Sequence, residues 1–355
     1  MWQRIDHSVI AQWAGSGPPS LVTRKHKTRG TMVSADLPQQ TTLSYTLHPD
    51  INTSPGESDL PIKTVAIMGV GDMGHAVGQA LRENGFDVIS CLNGRSEHSR
   101  NLAKVAGIRD VGNLELMVSE SDIILSIMPP SAAEGFGNDI AAAIKASGST
   151  PMFVECNAIA PDTTRRIGAF ITAAGAPYTD AGIIGSAPGR PGSPPRFYAS
   201  GPDLAPITEL DGKGIKVMPV GDEIGRATSV KMCYAGMTKG MTTLLTAVAI
   251  AAESLGITEE LGAELASSQA AAYDGMKRAV PRLPLDSGRW IGEMEEIATT
   301  FASAGVTDKF HQAARDIFLL LDSTPFASET RQTFDTSRTL EDSVKVYVEH
   351  LGQGS

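Results

Sequence analysis

Six residues of a glycine-rich turn and one lysine carry the chemistry that can be read from this chain. Gly69-Val70-Gly71-Asp72-Met73-Gly74 has the G-x-G-x-x-G spacing and follows a short apolar run, Lys63–Met68. That run reads as a buried parallel strand, and residues 73–84 after the glycines carry helical spacing at Met73, Val77, Ala80 and Leu81. In a strand–turn–helix setting each glycine has its own task. Gly69 permits the tight turn, Gly71 lets backbone approach a pyrophosphate, and Gly74 lets helix and strand pack closely. The helix N-terminus then offers unpaired N–H groups and a partial positive charge to phosphates.

The next strand, Asp87–Leu92, ends in Leu92-Asn93-Gly94-Arg95-Ser96, with Ser99 and Arg100 one turn later. An NAD site needs a carboxylate at this strand end to accept from the ribose 2′-hydroxyl. None stands there. Arg95 can pair a 2′-phosphate, and Asn93 and Ser96 can hydrogen-bond to it, so the cofactor expected is NADP.

Lys231 lies near the start of a long helical pattern, about 223–255. Tyr234 and Thr238 share its face, and Lys239 lies to one side. The pattern admits two readings. Lys231 either snorkels its charge into water or is desolvated enough to exchange a proton with a substrate oxygen near neutrality, helped by the like charge of Lys239.

The elements around these residues alternate. Strands at 63–68, 87–92, Asp122–Met128 (stopped by Pro129-Pro130) and Met152–Cys156 are separated by helices at 73–84, 98–106 and near 138–147. Arg196–Ser200 and Gly214–Pro219 complete the strands, after a loop at 185–195 that proline and glycine keep from being helix or central strand. This predicts an α/β chain: an N-terminal Rossmann-type, doubly wound parallel sheet with right-handed crossovers, followed by an all-helical domain. The helical part has an apolar stripe at Met237, Met241, Leu244, Leu245, Val248, Ala252 and Leu255, ends its first helix at Gly256, and continues at 258–281, 288–303 and 307–322. The expected division is an extension at 1–60, an NADP-binding domain at 61–222, a helical substrate and dimerisation domain at 223–325 and a partly helical tail at 326–355. The stripe must be buried against something, which points to a homodimer.

Residues 1–31 carry five basic side chains against Asp6 alone. They read as a disordered extension, an upstream start before Met32, or a mitochondrial-type transit peptide; otherwise a cytoplasmic protein is expected. The 355-residue chain has 30 basic and 40 acidic residues, a formal charge of -10, which argues against nucleic acid or an anionic membrane as partner. No run of about 18 apolar residues appears, so no membrane span is expected. Cys91, Cys156 and Cys233 each sit in an expected strand or helix among apolar neighbours, and seven scattered histidines form no cluster, so neither disulfides nor a metal site is expected.

Residues 62–322 resemble the β-hydroxyacid dehydrogenase superfamily, which includes 3-hydroxyisobutyrate and phosphogluconate dehydrogenases. The resemblance is carried by the glycine turn, Met128-Pro129-Pro130, Glu155–Pro161, Asp180-Ala-Gly-Ile-Ile-Gly185 and Lys231 on its long helix. The helical half, with residues 231–240 and 289–297, resembles a branch whose phosphogluconate-dehydrogenase-like C-terminal domain is of unknown function. The resemblance implies hydride transfer between a nicotinamide and a small hydroxyacid or related polar alcohol or carbonyl. It implies Lys231 as general acid/base, Asn157 near nicotinamide and substrate, the Gly185-Ser186 backbone on the substrate carboxylate, and Met128 and Pro129 along the cofactor.

Three departures stand out: Ala235 replaces the usual Asn four residues after the lysine, Ile184 replaces a serine, and the proline-rich insert at 188–195 is atypical. Tyr234 or Lys239 would then take over the substrate contact of the missing Asn. Arg289, Glu293 and Glu296 share one helical face, either solvated or reaching the substrate. Two other readings stay open. One is an imine reductase on the same scaffold, a group that commonly lacks the lysine; the other is an NADP-binding protein without turnover.

Overall fold

The computed structural model describes residues 62–352. The extension or transit segment expected at 1–60 lies outside the described residues. The first half alternates β1 (Thr64–Met68), α1 (Asp72–Glu83), β2 (Asp87–Ser90), α2 (Glu97–Ala106), β3 (Arg109–Asp110), α3 (Leu114–Glu120), β4 (Ile123–Ser126), α4 (Pro130–Ser147), β5 (Met152–Glu155), α5 (Pro161–Ala173) and β6 (Tyr178–Ile184). Then come β7 (Arg196–Ser200), α6 (Ala205–Thr208) and β8 (Lys216–Pro219). The strands form one sheet in the order β3-β2-β1-β4-β5-β6-β7-β8.

Strands β1 to β6 pair in parallel, as expected, but β7 runs antiparallel to β6 and then pairs in parallel with β8. The sheet is therefore mixed at one edge. The turn out of β6 is a hairpin-like return through the proline-rich loop, with no crossover helix to restore direction.

Period-two alternation divides the core into two layers. Val65 and Ile67 of β1 face α1 and α2 residues such as Val77, Leu81 and Ala103. Ala66 and Met68 face Phe136 and Ile140 of α4 and Ile167 of α5. Helices on both faces explain why these strands are continuous apolar runs.

Strand β6, all seven residues buried, was not legible as a strand. Its Tyr178 packs on Gly168 of α5, and two and four residues on, Asp180 and Gly182 meet the start of the next long helix. Helix α4 also begins earlier than expected. Pro130 is not a stop but the first helical residue, where a missing N–H costs nothing.

The helical part comprises α7 (Arg226–Leu255), α8 (Thr258–Ser268), α9 (Ala270–Ala279), a 3-10 segment Val280–Leu285, α10 (Ser287–Ser303), α11 (Lys309–Asp322), a 3-10 turn Pro325–Ser328 and α12 (Leu340–Glu349). Its core gathers Met232 and Ile250 of α7, Met294 and Ile297 of α10, Phe318 and Leu321 of α11, and Leu340, Val344 and Tyr347 of α12. The stretch read as a tail thus contributes a core helix. The Tyr347 hydroxyl donates to the Val280 carbonyl at 3.0 Å.

The apolar stripe of α7 is divided: Leu245 and Val248 pack on this core and Ala252 is buried, while the rest of the stripe faces outward. The buried face is made of smaller residues, including Ala227, Thr228, Ala235, Gly236, Thr243 and Thr246. Met237, Met241 and Leu244 are exposed, each by more than half. Small residues let the helix lie close to its neighbours, with Met232 and Ile250 as the large side chains on the buried face. By length and composition alone α7 could cross a membrane, and its small-residue face is buried within the protein.

Candidate active site at the carboxyl ends of the parallel strands

The glycine turn leaves β1 and enters α1. Gly69 has φ +88°, and a Cβ there would lie 2.0 Å from the Ile127 carbonyl oxygen. A Cβ on Gly74 would lie 2.2 Å from the Gly69 oxygen. These two glycines are required by the protein's own packing. Gly71 differs, since a Cβ there would meet nothing within 4 Å. Gly71 is also the N-cap of α1 and supplies no side-chain cap, so the first-turn N–H groups of Asp72, Met73 and Gly74 have no side-chain acceptor of their own. Open space before an uncapped helix start fits a pyrophosphate. Met73 packs inward against the core, and Asp72 is exposed.

Over the carboxyl ends of β2, β1 and β4, next to the point where the strand order reverses, a cleft of about 560 Å³ is lined by Met68, Cys91, Asn93, Arg95, Phe136 and Met128, among others. An α/β sheet binds its ligand at this topological switch. Asn93 and Arg95 come together here as expected, and among the described residues no acid or carbonyl engages the Arg95 side chain. Ser96 does not line the cleft. Its hydroxyl caps α2 by accepting from the Ser99 N–H at 3.2 Å. Pro129 is the N-cap residue of α4, next to Met128.

Asn157 follows β5 and is buried. Its Oδ1 accepts from the Met128 N–H at 2.5 Å, its Nδ2 donates to the Ser126 hydroxyl at 2.9 Å, and its own N–H donates to Glu155 Oε1 at 2.9 Å. The side chain ties the ends of β4 and β5 together. Burial pushes the Glu155 carboxyl up to about 8, and its second oxygen has no partner among the described residues. Cys91 and Cys156 are buried as expected, and burial raises the Cys156 thiol, but Cys233 is exposed.

Strand β6 brings in the lysine. Lys231 Nζ donates to the Ile183 carbonyl at 2.6 Å. A Cβ on Gly182 would lie 2.6 Å from the Lys231 Cβ, so only glycine allows helix and strand to cross this closely. Burial lowers the Lys231 ammonium to about 8, with Lys239 and then Arg289 adding to the shift and Glu293 opposing it. Gly185 (φ +119°) and exposed Ser186 follow Ile183 by two and three residues.

The start of α7 is held by a residue that the sequence reading passed over. Asp180 is fully buried and accepts from the Gly225 N–H at 2.9 Å, the Thr228 N–H at 3.0 Å, the Ser200 hydroxyl at 3.1 Å and the Thr228 hydroxyl. It caps a helix from a strand 45 residues away. The available signal was an acid inside an otherwise apolar segment, which a buried strand tolerates only with partners.

Tyr234 and Lys239 are not equivalent. Tyr234 is 44% exposed. Lys239 is largely buried, ion-paired with Glu293, and its ammonium lies 5.3 Å from the Trp290 ring centre. Arg289 bonds Glu293 at 3.2 Å and Asp286 at 3.1 Å. Glu296 accepts from the Ala160 N–H at 2.6 Å and so docks α10 on the start of α5. The acids expected on a shared face are therefore structural partners rather than solvated charges.

Residues 60–159 match the family described as acetohydroxy acid isomeroreductase, NADPH-binding domain, and residues 252–321 match a domain of unknown function, DUF1932. An uncharacterized 28.5 kDa protein of Methanothermus fervidus is 25% identical over 197 residues, which is 56% of this chain and 74% of that protein. A conserved protein described as structurally similar to 3-hydroxyacid dehydrogenases is 26% identical, with TM-score 0.55, over 73% of this chain and 96% of its own. A 3-hydroxyisobutyrate dehydrogenase of Mycobacterium tuberculosis, solved with L-serine, shares the fold at 17% identity, with TM-score 0.55, over 72% of this chain and 92% of its own.

Proposed function

We propose that this chain, whose fold is that of the β-hydroxyacid dehydrogenase superfamily, is an NADP-dependent oxidoreductase acting on a small hydroxyacid or related polar alcohol or carbonyl, with Lys231 as general acid/base. The coarser reading, a nicotinamide-dependent oxidoreductase, follows from the matched NADPH-binding family and the shared fold. The observation that carries the finer one is the Lys231 ammonium, pulled to about 8 and held at the end of β6.

Gly69, Gly71, Asp72, Met73 and Gly74 would hold the pyrophosphate, with Asn93, Arg95 and Ser96 toward the 2′-phosphate and Met128, Pro129 and Asn157 along the nicotinamide half. Bound there, the nicotinamide supplies or accepts the hydride. The protein supplies position and a proton. Lys231 Nζ takes the hydroxyl proton during oxidation and returns it during reduction, while the Ile183 carbonyl keeps the nitrogen in place. Gly185, Ser186, Tyr234 and Lys239 would line the substrate; Lys239 does so with its charge already shared with Glu293, which leaves the exposed Tyr234 hydroxyl as the group with freedom to replace the family Asn.

The exposed side chains Met237, Met241 and Leu244 follow one another at four- and three-residue steps along α7. A second copy of the chain would cover them, making a homodimer. The presence of Lys231 disfavours the imine reductase reading, since the resemblance implies that those enzymes commonly lack it.

The test is NADPH-fluorescence titration joined to a screen of hydroxyacids, carbonyls and imines on the wild type and Lys231→Met. The variant should keep NADPH affinity and lose about 100- to 10,000-fold in turnover. Unchanged turnover removes Lys231 from the chemistry. Tight NADPH binding with no turnover of anything leaves a non-catalytic NADP-binding protein.

A further inference from the structure

The proline-rich loop after β6 reaches across the molecule to the glycine turn. Arg190 Nη2 lies 2.9 Å from Asp72 Oδ2, an ion pair between residues 118 apart in sequence. Asp72 is the first residue of α1, in the turn whose N–H groups would meet the pyrophosphate. A carboxylate there suits the helix dipole when no anion is present, but it opposes an arriving phosphate. Burial acts to raise the Asp72 carboxyl, yet the Arg190 guanidinium, with Arg331 and His75 behind it, holds it below its ordinary value. The loop is built to carry an arm. Ala187 is buried and anchors it, Pro188 and Pro191 stiffen it, and Gly189 and Gly192 take positive φ on either side of Arg190.

We propose that Arg190 is a cofactor-binding residue: its guanidinium forks between the Asp72 carboxylate and the dinucleotide pyrophosphate, strapping the loop after β6 onto the bound cofactor. Arginine has five donors in a planar fork, and a pyrophosphate offers acceptor oxygens on both phosphorus atoms, so one side chain serves both anions. The same loop begins at Gly185 and Ser186, so seating the strap also sets the backbone assigned to the substrate carboxylate. The inference rests on the reading that a dinucleotide occupies the glycine turn.

The experiment measures Kd for NADPH and for adenosine 2′-phosphate, which fills the Arg95 end and lacks the pyrophosphate, on the full chain. Arg190→Ala should weaken NADPH about tenfold, as expected for loss of one charge-assisted contact, and leave adenosine 2′-phosphate unchanged. Arg190→Lys, which keeps the charge and loses the fork, should fall between. Asp72→Asn in the Arg190→Ala background should recover part of the loss, because the uncompensated carboxylate is gone. NADPH bound equally well by Arg190→Ala overturns the strap, as does an equal loss for both ligands. A wild type that binds neither ligand overturns the cofactor reading itself, and the strap with it.

Discussion

Lys231 and Ile183, 48 residues apart, are joined by a single contact: the lysine ammonium donates to the strand carbonyl at 2.6 Å. That contact sits one residue from Gly182, whose missing Cβ lets α7 cross β6. It gives the lysine a fixed position and a partly desolvated surrounding at the same time, and the two together are what proton transfer requires.

The pH dependence follows from that surrounding. Burial, Lys239 and Arg289 disfavour the charged form, so Lys231 titrates at about 8 rather than 10.5. Oxidation needs the free amine, and its rate should rise through about pH 8 to a plateau; reduction needs the ammonium and should fall over the same range. Lys239→Met removes the like charge and leaves Glu293 with Arg289 as its cation, less neutralised than before, so both effects raise the midpoint. On stability the sign is fixed. Between about 8 and 10.5 the unfolded chain keeps a proton that the folded chain has released, so this group's contribution makes the protein more stable as pH rises. Initial rates in both directions from pH 6 to 10 check the kinetic part.

Asp180 sets where α7 begins. Asp180→Ala would leave the Gly225 and Thr228 N–H groups and the hydroxyls of Ser200, Thr228 and Thr164 without this acceptor in a buried place. The loss should be about 3 kcal/mol or more in urea unfolding. A loss below about 0.5 kcal/mol, the range of ordinary surface substitutions, would show that the helix start is held by other means.

Strands β1, β2, β4 and β5 were legible because helices on both faces force them to be apolar runs. Strand β6 was not, because Thr179, Asp180 and Gly182 break the apolar pattern, and the partners that make them acceptable come from residues 200–231. Helix α5 was hidden behind Pro161, which begins it, and a polar first turn. The stripe of α7 was legible as apolar but not as divided: Leu245, Val248 and Ala252 meet the intramolecular core while Met237, Met241 and Leu244 do not, since periodicity shows that a face is apolar and not what covers it. In the site, the glycine turn, Asn93, Arg95 and Lys231 were local signals. The N-cap role of Ser96 was not legible, because an N-cap serine and a phosphate-binding serine have the same sequence surroundings.

Cofactor choice is tested at Arg95. Arg95→Ala should weaken NADPH by at least about tenfold and change NADH by less than about threefold, because only the former carries the phosphate that pairs with the guanidinium. Competitive titration with both nucleotides checks this, and an equal loss for the two would remove Arg95 from the selection.

The central claim is that a dinucleotide occupies the gap before α1, and Gly71 tests it most directly. A Cβ there meets nothing within 4 Å, and its φ of -105° suits any residue, so Gly71→Val should fold and melt as the wild type does. Its side chain would fill the space assigned to the phosphates, so calorimetric NADPH binding should be lost. A Gly71→Val protein that binds NADPH as tightly as the wild type would contradict the account.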